Sequence, residues 1–287
     1  MLAQRSFCLL TALTAACSPA RTADVIFLPS TAEVMTRMLE LARIRPADLV
    51  YDLGCGDGRI VIAAVKRYGA RGVCIDIDPA LIAASRRNAD TAGVRDRIAF
   101  RVGDMFEADL HGASVVALYL SPALNLRLRP KLFRELQPGA RVVSHNFDMA
   151  DWRPDTAVSV RWPTGGTSAV YAWVLPADVA GSWTLTVPAA GGDRRYRLRF
   201  EQRYQVLSGT ASLSGRSIDL GATRLVGDSL EFELSDRRGG RRTVLRFGGR
   251  VSGGEMTGVV QLDSASSGRT WRATRASDHS GPSRDDS

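Results

Sequence analysis

Two kinds of hydrophobic pattern alternate along residues 25–176. Short, nearly continuous apolar runs predict buried strands at 49–53, 72–76, 98–102, 114–120 and 141–146. Apolar positions spaced three and four residues apart predict helices at 32–42, 58–68, 79–92 and 124–136. Two further extended segments, 157–162 and 168–175, flank a turn and predict a closing antiparallel hairpin. We therefore expect an α/β fold with a doubly wound, mostly parallel sheet.

The pattern changes after Pro176, where helical spacing disappears. Apolar residues alternate with polar ones between Tyr196 and Val206, and short strands are predicted near 210–214, 217–221, 229–234, 242–248, 256–262 and 269–274. The predicted turns are Gly239-Gly240, Gly248-Gly249 and Gly253-Gly254. Residues 181–275 are thus expected to form a smaller antiparallel barrel or sandwich, with Trp183 and Trp271 in its core. Residues 276–287 are polar and predicted to be disordered.

The first twenty residues differ from the rest of the chain. Arg5 precedes an apolar run at 7–16, and small residues with Pro19 follow, which is the layout of a secretory signal peptide. Residues 13–17 also resemble a bacterial lipoprotein box, with Cys17 as the lipidated residue. Residues 1–20 are therefore predicted to be an export leader, either cleaved or lipidated, which allows association with the membrane or envelope.

Composition narrows the choice of partners. The formal net charge is +8, yet the arginines are scattered along the chain, so no nucleic-acid partner is expected. Cys55 and Cys74 are expected to be small apolar packing residues, without a disulfide framework. The three histidines, His111, His145 and His279, are isolated in sequence, so no metal site is predicted.

A glycine-rich turn follows the first predicted strand. Asp52 ends that strand, and glycines recur at every second position (Gly54, Gly56 and Gly58) before a helix. Glycine lets the backbone turn tightly and approach a ligand closely, and the following helix offers free N–H groups. A second acid, Asp57, lies inside the turn. Two carboxylates repel a pyrophosphate and suit a ligand with a cationic group, so a dinucleotide is disfavoured.

Two more acids end the next strands. Asp76 ends the second strand about twenty residues after the glycine turn, where an acid binds ribose hydroxyls in doubly wound folds. Asp78 precedes Pro79 and is expected to cap the next helix. Gly103-Asp104-Met105 follows the third strand, at the same edge of the sheet.

These motifs together resemble the class I S-adenosylmethionine-dependent methyltransferases, which have a Rossmann-like seven-strand sheet. The resemblance implies S-adenosylmethionine as the cofactor, with Asp76 at the ribose and Asp104 at the adenine. The cofactor-binding residues that it implies are Asp52, Gly54, Gly56, Asp57, Gly58, Asp76, Asp104 and Met105. It also implies that Leu28-Pro29 and helix 32–42 form a flap over the cofactor, although this helix equally suits a cover for one sheet face. The barrel segment is similar to lipocalin-like modules in pattern only.

The acceptor side is expected where strands 114–120 and 141–146 end. Ser121-Pro122 stands in place of the [DN]-P-P-[YF] motif of amide and nucleobase methylation. The run from Leu118 to Asn125 instead resembles a branch of small lysine methyltransferases over roughly residues 26–175. That resemblance implies a protein lysine or another amine as the acceptor.

Tyr119 and Asn125 are the predicted acceptor-side residues. The Tyr119 ring suits a cationic amine or the sulfonium, but it equally suits a buried strand position. Asn125 is alternatively a helix cap. His145 lies near the end of the fifth strand and suits either a base or a structural residue, and the structural role is favoured. Asp148 follows that strand and suits either the orientation of a substrate amine or a loop cap, and the loop role is favoured.

Two other functions stay open at this stage. A leader sends the chain to the periplasm or envelope, whereas S-adenosylmethionine is made in the cytoplasm. An exported protein that uses the fold and the β module only for binding is therefore the alternative. An NAD-dependent oxidoreductase is weaker, because the glycine spacing differs from the dinucleotide motif.

Overall fold

The computed structural model describes residues 28–162, 165–189, 191–238, 241–262 and 268–276. They form a seven-stranded sheet with its helices, here called the sheet unit, and a closed eight-stranded barrel. The predicted leader, the Gly239-Gly240 turn and residues 277–287 of the predicted tail lie outside the described residues. No helix in the described part of the chain has the length and apolar character needed to cross a membrane.

The strands of the sheet unit match the predicted segments. They are β1 Leu49–Leu53, β2 Arg71–Asp76, β3 Ile98–Val102, β4 Val115–Leu118, β5 Arg141–His145, β6 Thr156–Arg161 and β7 Thr167–Val174. Their order is β3-β2-β1-β4-β5-β7-β6, and only β7 runs antiparallel to its neighbours. From β1 the chain continues to β2 and β3 on one side, and it then crosses to β4 on the other side of β1. This reversal of direction leaves a crevice at the carboxyl ends of β1 and β4.

Four helices cover this sheet in the described residues. They are α1 Ala32–Leu41, α2 Arg59–Tyr68, α3 Pro79–Ala92 and α4 Pro122–Glu135. Side-chain caps start three of them, and the predicted cap by Asp78 is confirmed because its carboxylate accepts from Ala80 N at 2.7 Å. Helix α1 buries Val34 and Met38 in the core beneath β5 and β7, so it covers one face of the sheet.

A disulfide joins Cys55 to Cys74, so the expectation that both are separate packing residues is wrong. The parallel register places Asp52 opposite Cys74, and the chain then turns so that Cys55 N donates to Ile75 O at 3.0 Å. This turn brings the two Cα atoms within 5.4 Å, which is the distance that a disulfide needs. The bond lies directly beneath the glycine turn.

The barrel is closed by eight antiparallel strands, which selects a barrel over a sandwich. They are β8 Gly181–Val187, β9 Arg194–Arg203, β10 Val206–Leu213, β11 Arg216–Val226, β12 Ser229–Arg238, β13 Arg241–Ser252, β14 Glu255–Leu262 and β15 Arg269–Arg275. Strand β8 was not predicted as a strand, although Trp183 within it was expected in the core. Large side chains fill the interior, among them Trp183, Tyr196, Phe232 and Trp271. The interior is therefore a packed core, as expected for a small barrel.

The predicted turn at Gly248-Gly249 is wrong, because both glycines lie inside β13. A Cβ on Gly249 would lie 2.6 Å from the Trp271 ring and 2.4 Å from Thr257 O. The Trp271 indole N–H donates to Gly248 O at 3.2 Å. These glycines thus admit a tryptophan against the backbone rather than forming a turn. The Gly253-Gly254 turn is confirmed.

The sheet unit and the barrel meet at the loop that follows β5. Tyr204, in the turn between β9 and β10, packs its ring on Phe133 of α4 and on Trp152, with centroids 5.4 and 6.1 Å apart. Its hydroxyl donates to Asp151 at 3.0 Å, and Arg203 forms an ion pair with the same carboxylate at 2.9 Å. The barrel therefore contacts loop 146–153 directly.

Candidate functional site

The glycine turn between β1 and α2 requires glycine by geometry. Gly54, Gly56 and Gly58 have φ of +72°, +55° and +78°, in the left-handed region that other residues avoid. A Cβ on Gly54 would lie 2.9 Å from Leu120 Cδ2, and one on Gly58 would lie 2.8 Å from Ser85 Cβ. The turn therefore presents backbone without side chains, which a ligand can approach closely. Its N–H groups are largely bonded within the protein, among them Gly54 N to Ile75 O and Gly56 N to Asp76.

Asp76 holds this turn from the end of β2. One of its carboxylate oxygens accepts from Gly56 N at 2.8 Å, and the other accepts from Asp78 N at 3.0 Å. Gly103 N donates to Asp76 O at 2.9 Å, which brings the segment after β3 to the same edge. Asp104 lies in that segment and accepts from Phe106 N at 2.9 Å, while Met105 packs against the sheet core. The structure thus brings the two predicted acids, Asp76 and Asp104, to neighbouring strand ends.

Asp52 is buried beneath the glycine turn. Burial raises the pKa of Asp52 to about 7, and the nearby charges of Asp76 and Asp57 act in the same direction. A hydrogen bond from Val61 N at 3.3 Å opposes this shift. Asp52 therefore supports the first turn of α2 from below, and its side chain is 2 % exposed.

Asp57 is paired within the protein. Arg59 binds it with a shortest separation of 2.6 Å between Nη2 and Oδ2, and this pairing raises the pKa of Arg59. The same guanidinium donates to Ser30 O at 3.0 Å. Sequence reasoning expected Asp57 to face a cationic ligand. The structure instead uses its charge to hold Arg59 between the glycine turn and the segment before α1.

The acceptor-side residues meet around a stacked aromatic pair. The rings of Tyr119 and His145 lie 3.8 Å apart at an interplanar angle of 26°, and Phe147 continues the stack at 6.5 Å from Tyr119. Tyr119 directly precedes Leu120, the residue that contacts the glycine turn. The stacked rings therefore lie at the end of β4, one residue before the side chain that contacts the glycine turn.

His145 is held by hydroxyl groups at both ring nitrogens. Nδ1 lies 2.9 Å from Ser30 Oγ, and Nε2 lies 2.8 Å from Ser168 Oγ. Burial lowers the pKa of His145 to about 4, so the ring is neutral at pH 7. Because both of its ring nitrogens are hydrogen-bonded, His145 is a neutral ring that stacks on Tyr119 and is not a free base.

Asn125 lies inside α4 and is fully buried, so it does not cap the helix; Ser121 does. Its amide donates to Ser144 Oγ at 3.2 Å and to Phe147 O at 3.1 Å. It therefore positions the start of loop 146–153. Asp148 accepts from Ala150 N at 3.0 Å, which is the loop role favoured by the sequence.

His111 is not isolated in the fold, contrary to expectation. Its Nδ1 lies 2.6 Å from Asp109, and the fold brings Glu135 into the same group, with all three ligand atoms within 4.8 Å. Glu135, however, already binds Lys131 Nζ at 2.8 Å through both oxygens. The Lys131 ammonium thus occupies the place where a cation would bind, and we infer no metal site from this group.

Comparison with known proteins identifies the family. The family model described as the ANTKMT methyltransferase domain matches residues 52–156. A protein-lysine N-methyltransferase of Saccharolobus islandicus is 41% identical over 137 residues, which cover 47% of this chain and 85% of that protein. The chain belongs to this methyltransferase family. The matched region contains the glycine turn, Asp76, Asp104, Tyr119 and Asn125.

Two mammalian relatives are matched over a smaller share of their length. A human lysine N-methyltransferase that is named for a component of ATP synthase is 36% identical over 129 residues, which cover 45% of this chain and 54% of that protein. The mouse adenine nucleotide translocase lysine N-methyltransferase is 34% identical over 159 residues, which cover 55% of this chain and 65% of that protein. The matches span about half of this methyltransferase.

A solved structure agrees with the cofactor. It is described as an RNA methyltransferase from Salinibacter ruber in complex with S-adenosyl-L-homocysteine. It is 51% identical with a TM-score of 0.50, and the match covers 53% of this chain and 96% of that one. S-adenosylmethionine is thus the cofactor of this methyltransferase. The glycine turn leaves room for the cofactor, and the Asp76 and Asp104 carboxylates at two neighbouring strand ends fit its ribose and adenine groups.

Sequence reasoning missed three residues that complete the site, namely Ser30, Arg59 and Ser168. Ser30 joins both halves, because its carbonyl accepts from Arg59 and its hydroxyl bonds to His145. None of the three stands in a recognisable motif. Of the three, only Arg59 could have been predicted from its position, because it directly follows the glycine turn.

Proposed function

We propose that this methyltransferase transfers the methyl group of S-adenosylmethionine to a lysine side chain of a protein. The observation that carries the proposal is the half-buried Tyr119 ring, which stacks on the buried, neutral His145 and directly precedes Leu120, the residue that contacts the glycine turn. Flat aromatic faces attract a cationic ammonium and exclude water from it. The relatives with lysine N-methyltransferase names support the same acceptor.

The chemistry requires a neutral amine and an aligned donor. When bound, the cofactor supplies a methyl group on a positively charged sulfur, which is already an activated leaving group. The glycine turn with Asp76 and Asp104 would hold the cofactor, which would supply its methyl group to the lone pair of a neutral amine and keep the C–S electron pair on sulfur. The amine proton would leave to the solvent outside the crevice. This chain therefore contributes mainly by positioning the reactants.

Deprotonation of the amine follows from its surroundings. Loss of water lowers the pKa of a lysine ammonium, because burial disfavours the charged form, and this effect opposes the attraction of the ring face for the cation. His145 keeps both nitrogens bonded to Ser30 and Ser168, so it orients the Tyr119 ring and does not take up the proton. Asn125 and the loop that it holds define the far side of the crevice.

The test is methyl transfer with tritiated S-adenosylmethionine, using the full chain and separate envelope and cytosolic extracts. We expect label in protein that releases methyl-lysine on hydrolysis. Tyr119→Phe should retain most activity because the ring remains, whereas Tyr119→Ala should lower kcat by about 100-fold, the order that positioning effects supply. Label found only in RNA would overturn the lysine assignment while leaving methyl transfer intact. Absence of S-adenosylhomocysteine binding by calorimetry would overturn both.

We further propose the organisation predicted from sequence: a leader at 1–20, a methyltransferase domain at 25–176, an antiparallel domain at 181–275 and a tail at 276–287. The composition of the first twenty residues supports the leader. Fractionation of cells that express the chain with a carboxyl-terminal epitope tag tests it. A processed chain in the envelope fraction is expected, and an unprocessed cytoplasmic chain contradicts it.

A further inference from the structure

Strand β9 presents a row of arginines on the outside of the barrel. Arg195, Arg197 and Arg199 are exposed and alternate with the buried residues Tyr196, Leu198 and Phe200. Residues two apart on a strand point to the same side and lie about 6.6 Å apart. The three guanidinium groups therefore line one outer stripe about 13 Å long.

A fourth arginine and a set of hydroxyl groups extend this stripe sideways. In the strand register, Thr186 of β8 lies between Arg195 of β9 and Arg272 of β15. The other neighbours of the stripe are Thr184, Ser182, Thr210 and Ser212. We call Arg195, Arg197, Arg199 and Arg272 the arginine face. Its neighbours donate hydrogen bonds and carry no charge.

The arginine face differs from several other arginines of the barrel, which form ion pairs. Arg194 binds Asp236 at 2.7 Å, Arg203 binds Asp151 at 2.9 Å and Arg275 lies 3.4 Å from Asp178. No ion pair joins the four residues of the arginine face to any acid in the described ranges. The nearest exposed acids are Asp193, just before β9, Glu201, next along β9, and Asp219, beyond Thr210, and none of these described residues forms an ion pair with the face. This concentration of positive charge is therefore available to an anionic partner.

The surroundings favour phosphate groups on a surface over nucleic-acid bases. The aromatic rings of the barrel at Trp183, Tyr196, Phe200, Phe232, Phe247 and Trp271 all point inward and are buried. Stacking platforms for unpaired bases are therefore absent from the described outer wall. One exposed valine borders the face: Val259, at 47% exposure, lies two residues along β14 from Thr257, which pairs with Arg272, and it suits contact with a lipid headgroup layer.

We infer that the arginine face docks this protein on an anionic phospholipid surface. Guanidinium groups bind phosphate oxygens in pairs, and the neighbouring hydroxyls add single hydrogen bonds. Basic residues close to an anionic membrane each strengthen binding by about fivefold. Strand β9 ends at Arg203, and this residue and Tyr204 in the following turn contact loop 146–153. Docking through β9 therefore also holds the acceptor side at a set distance from the lipid surface.

The test is co-sedimentation of the purified full chain with vesicles of phosphatidylcholine, with and without phosphatidylglycerol. The triple variant Arg195→Gln/Arg197→Gln/Arg199→Gln should bind anionic vesicles about 100-fold more weakly than the unmodified chain. The matched control Arg71→Gln/Arg87→Gln/Arg101→Gln removes the same charge from exposed positions of the sheet unit and should change binding much less. Binding through the leader would be equal for all chains and would also appear on uncharged vesicles.

Three outcomes would overturn the inference. The first is equal binding of the two triple variants to anionic vesicles, and the second is no preference of the unmodified chain for phosphatidylglycerol. The third is binding of duplex RNA through the arginine face without binding to vesicles. Thermal unfolding of both variants should match the unmodified chain, since all six side chains are exposed. The readout does not use methyl transfer, so it is independent of the acceptor.

Discussion

The cofactor side and the acceptor side of the crevice are built in different ways. The cofactor side comes from residues close in sequence: the glycine turn, Asp52 beneath it and Asp76 beside it. The acceptor side joins Ser30 to His145 across 115 positions, and its loop is further contacted by the barrel. A local motif thus encodes the first half, whereas the second half exists only when distant elements have packed.

The two sides also differ in the buried titratable group that each contains. Burial raises the pKa of Asp52 to about 7 on the cofactor side and lowers that of His145 to about 4 on the acceptor side. Both shifts disfavour the charged form. Their effects on stability against pH are opposite, because one group is an acid and the other a base.

The largest expected effect is on the glycine turn. Gly58→Ala should lower the free energy of unfolding by roughly 4 kcal/mol, because left-handed strain adds to overpacking against Ser85. It should also abolish S-adenosylhomocysteine binding in calorimetry. Gly93→Ala is the matched control, with φ of +72° but no atom within 4 Å of its Cβ, and should cost only about 1–2 kcal/mol. If urea titrations showed the same loss of unfolding free energy for Gly58→Ala and Gly93→Ala, crowding of the glycine turn would be contradicted.

The next effect concerns the disulfide beneath that turn. Replacing Cys55 and Cys74 together by serine should cost about 3 kcal/mol, since the bond closes a loop with a sequence separation of 19. Reduction of the unmodified chain with dithiothreitol should produce the same loss and weaken cofactor binding. The serine variant should not respond to dithiothreitol. An unchanged urea midpoint after complete reduction would show that the bond does not stabilise the turn.

The pH dependence separates the two sides. Folded Asp52 holds its proton between pH 3.8 and about 7 while the unfolded group has lost it, so its contribution falls as pH rises. Folded His145 is neutral between about 4 and 6.5 while the unfolded group is charged, so its contribution rises with pH, by up to about 3 kcal/mol. The two slopes oppose each other in the unmodified chain.

Single variants should expose each slope in urea unfolding between pH 4.5 and 7.5. Asp52→Asn should become more stable as pH rises, because the His145 contribution remains. His145→Gln should become less stable over the same range. Parallel pH profiles for both variants would show that the two groups do not titrate as their burial implies.

The smallest effect tests the contribution of the barrel. Tyr204→Ala removes ring packing on Phe133 and Trp152 and should cost about 1 kcal/mol. Hydrogen exchange of residues 148–153 should accelerate, while S-adenosylhomocysteine affinity stays unchanged. Tyr204→Phe keeps the rings and should leave exchange almost unaltered. Weakened cofactor binding in Tyr204→Ala would contradict the independence of the two sides.

The parts of the fold predicted correctly have local physical signals. Continuous apolar runs mark buried parallel strands, and Asp78 before Pro79 marks a helix start. The errors come where a local signal has two structural uses. Gly248-Gly249 resembles a turn, yet its purpose is to admit the Trp271 ring, which lies more than twenty residues away. Strand β8 was missed although Trp183, Leu185 and Val187 alternate with polar residues, so here the local signal was present and overlooked.

The sequence by itself determined the class of fold, the glycine turn and the acids at the ends of β2 and β3, because strand length, helix spacing and turn chemistry depend on neighbouring residues. Only the tertiary structure decided the Cys55–Cys74 bond, the pairing of Asp57 with Arg59, and the clamping of His145 by Ser30 and Ser168. It also gathered the arginine face, since its members come from different strands. These contacts depend on register and packing, which place side chains together irrespective of their distance along the chain.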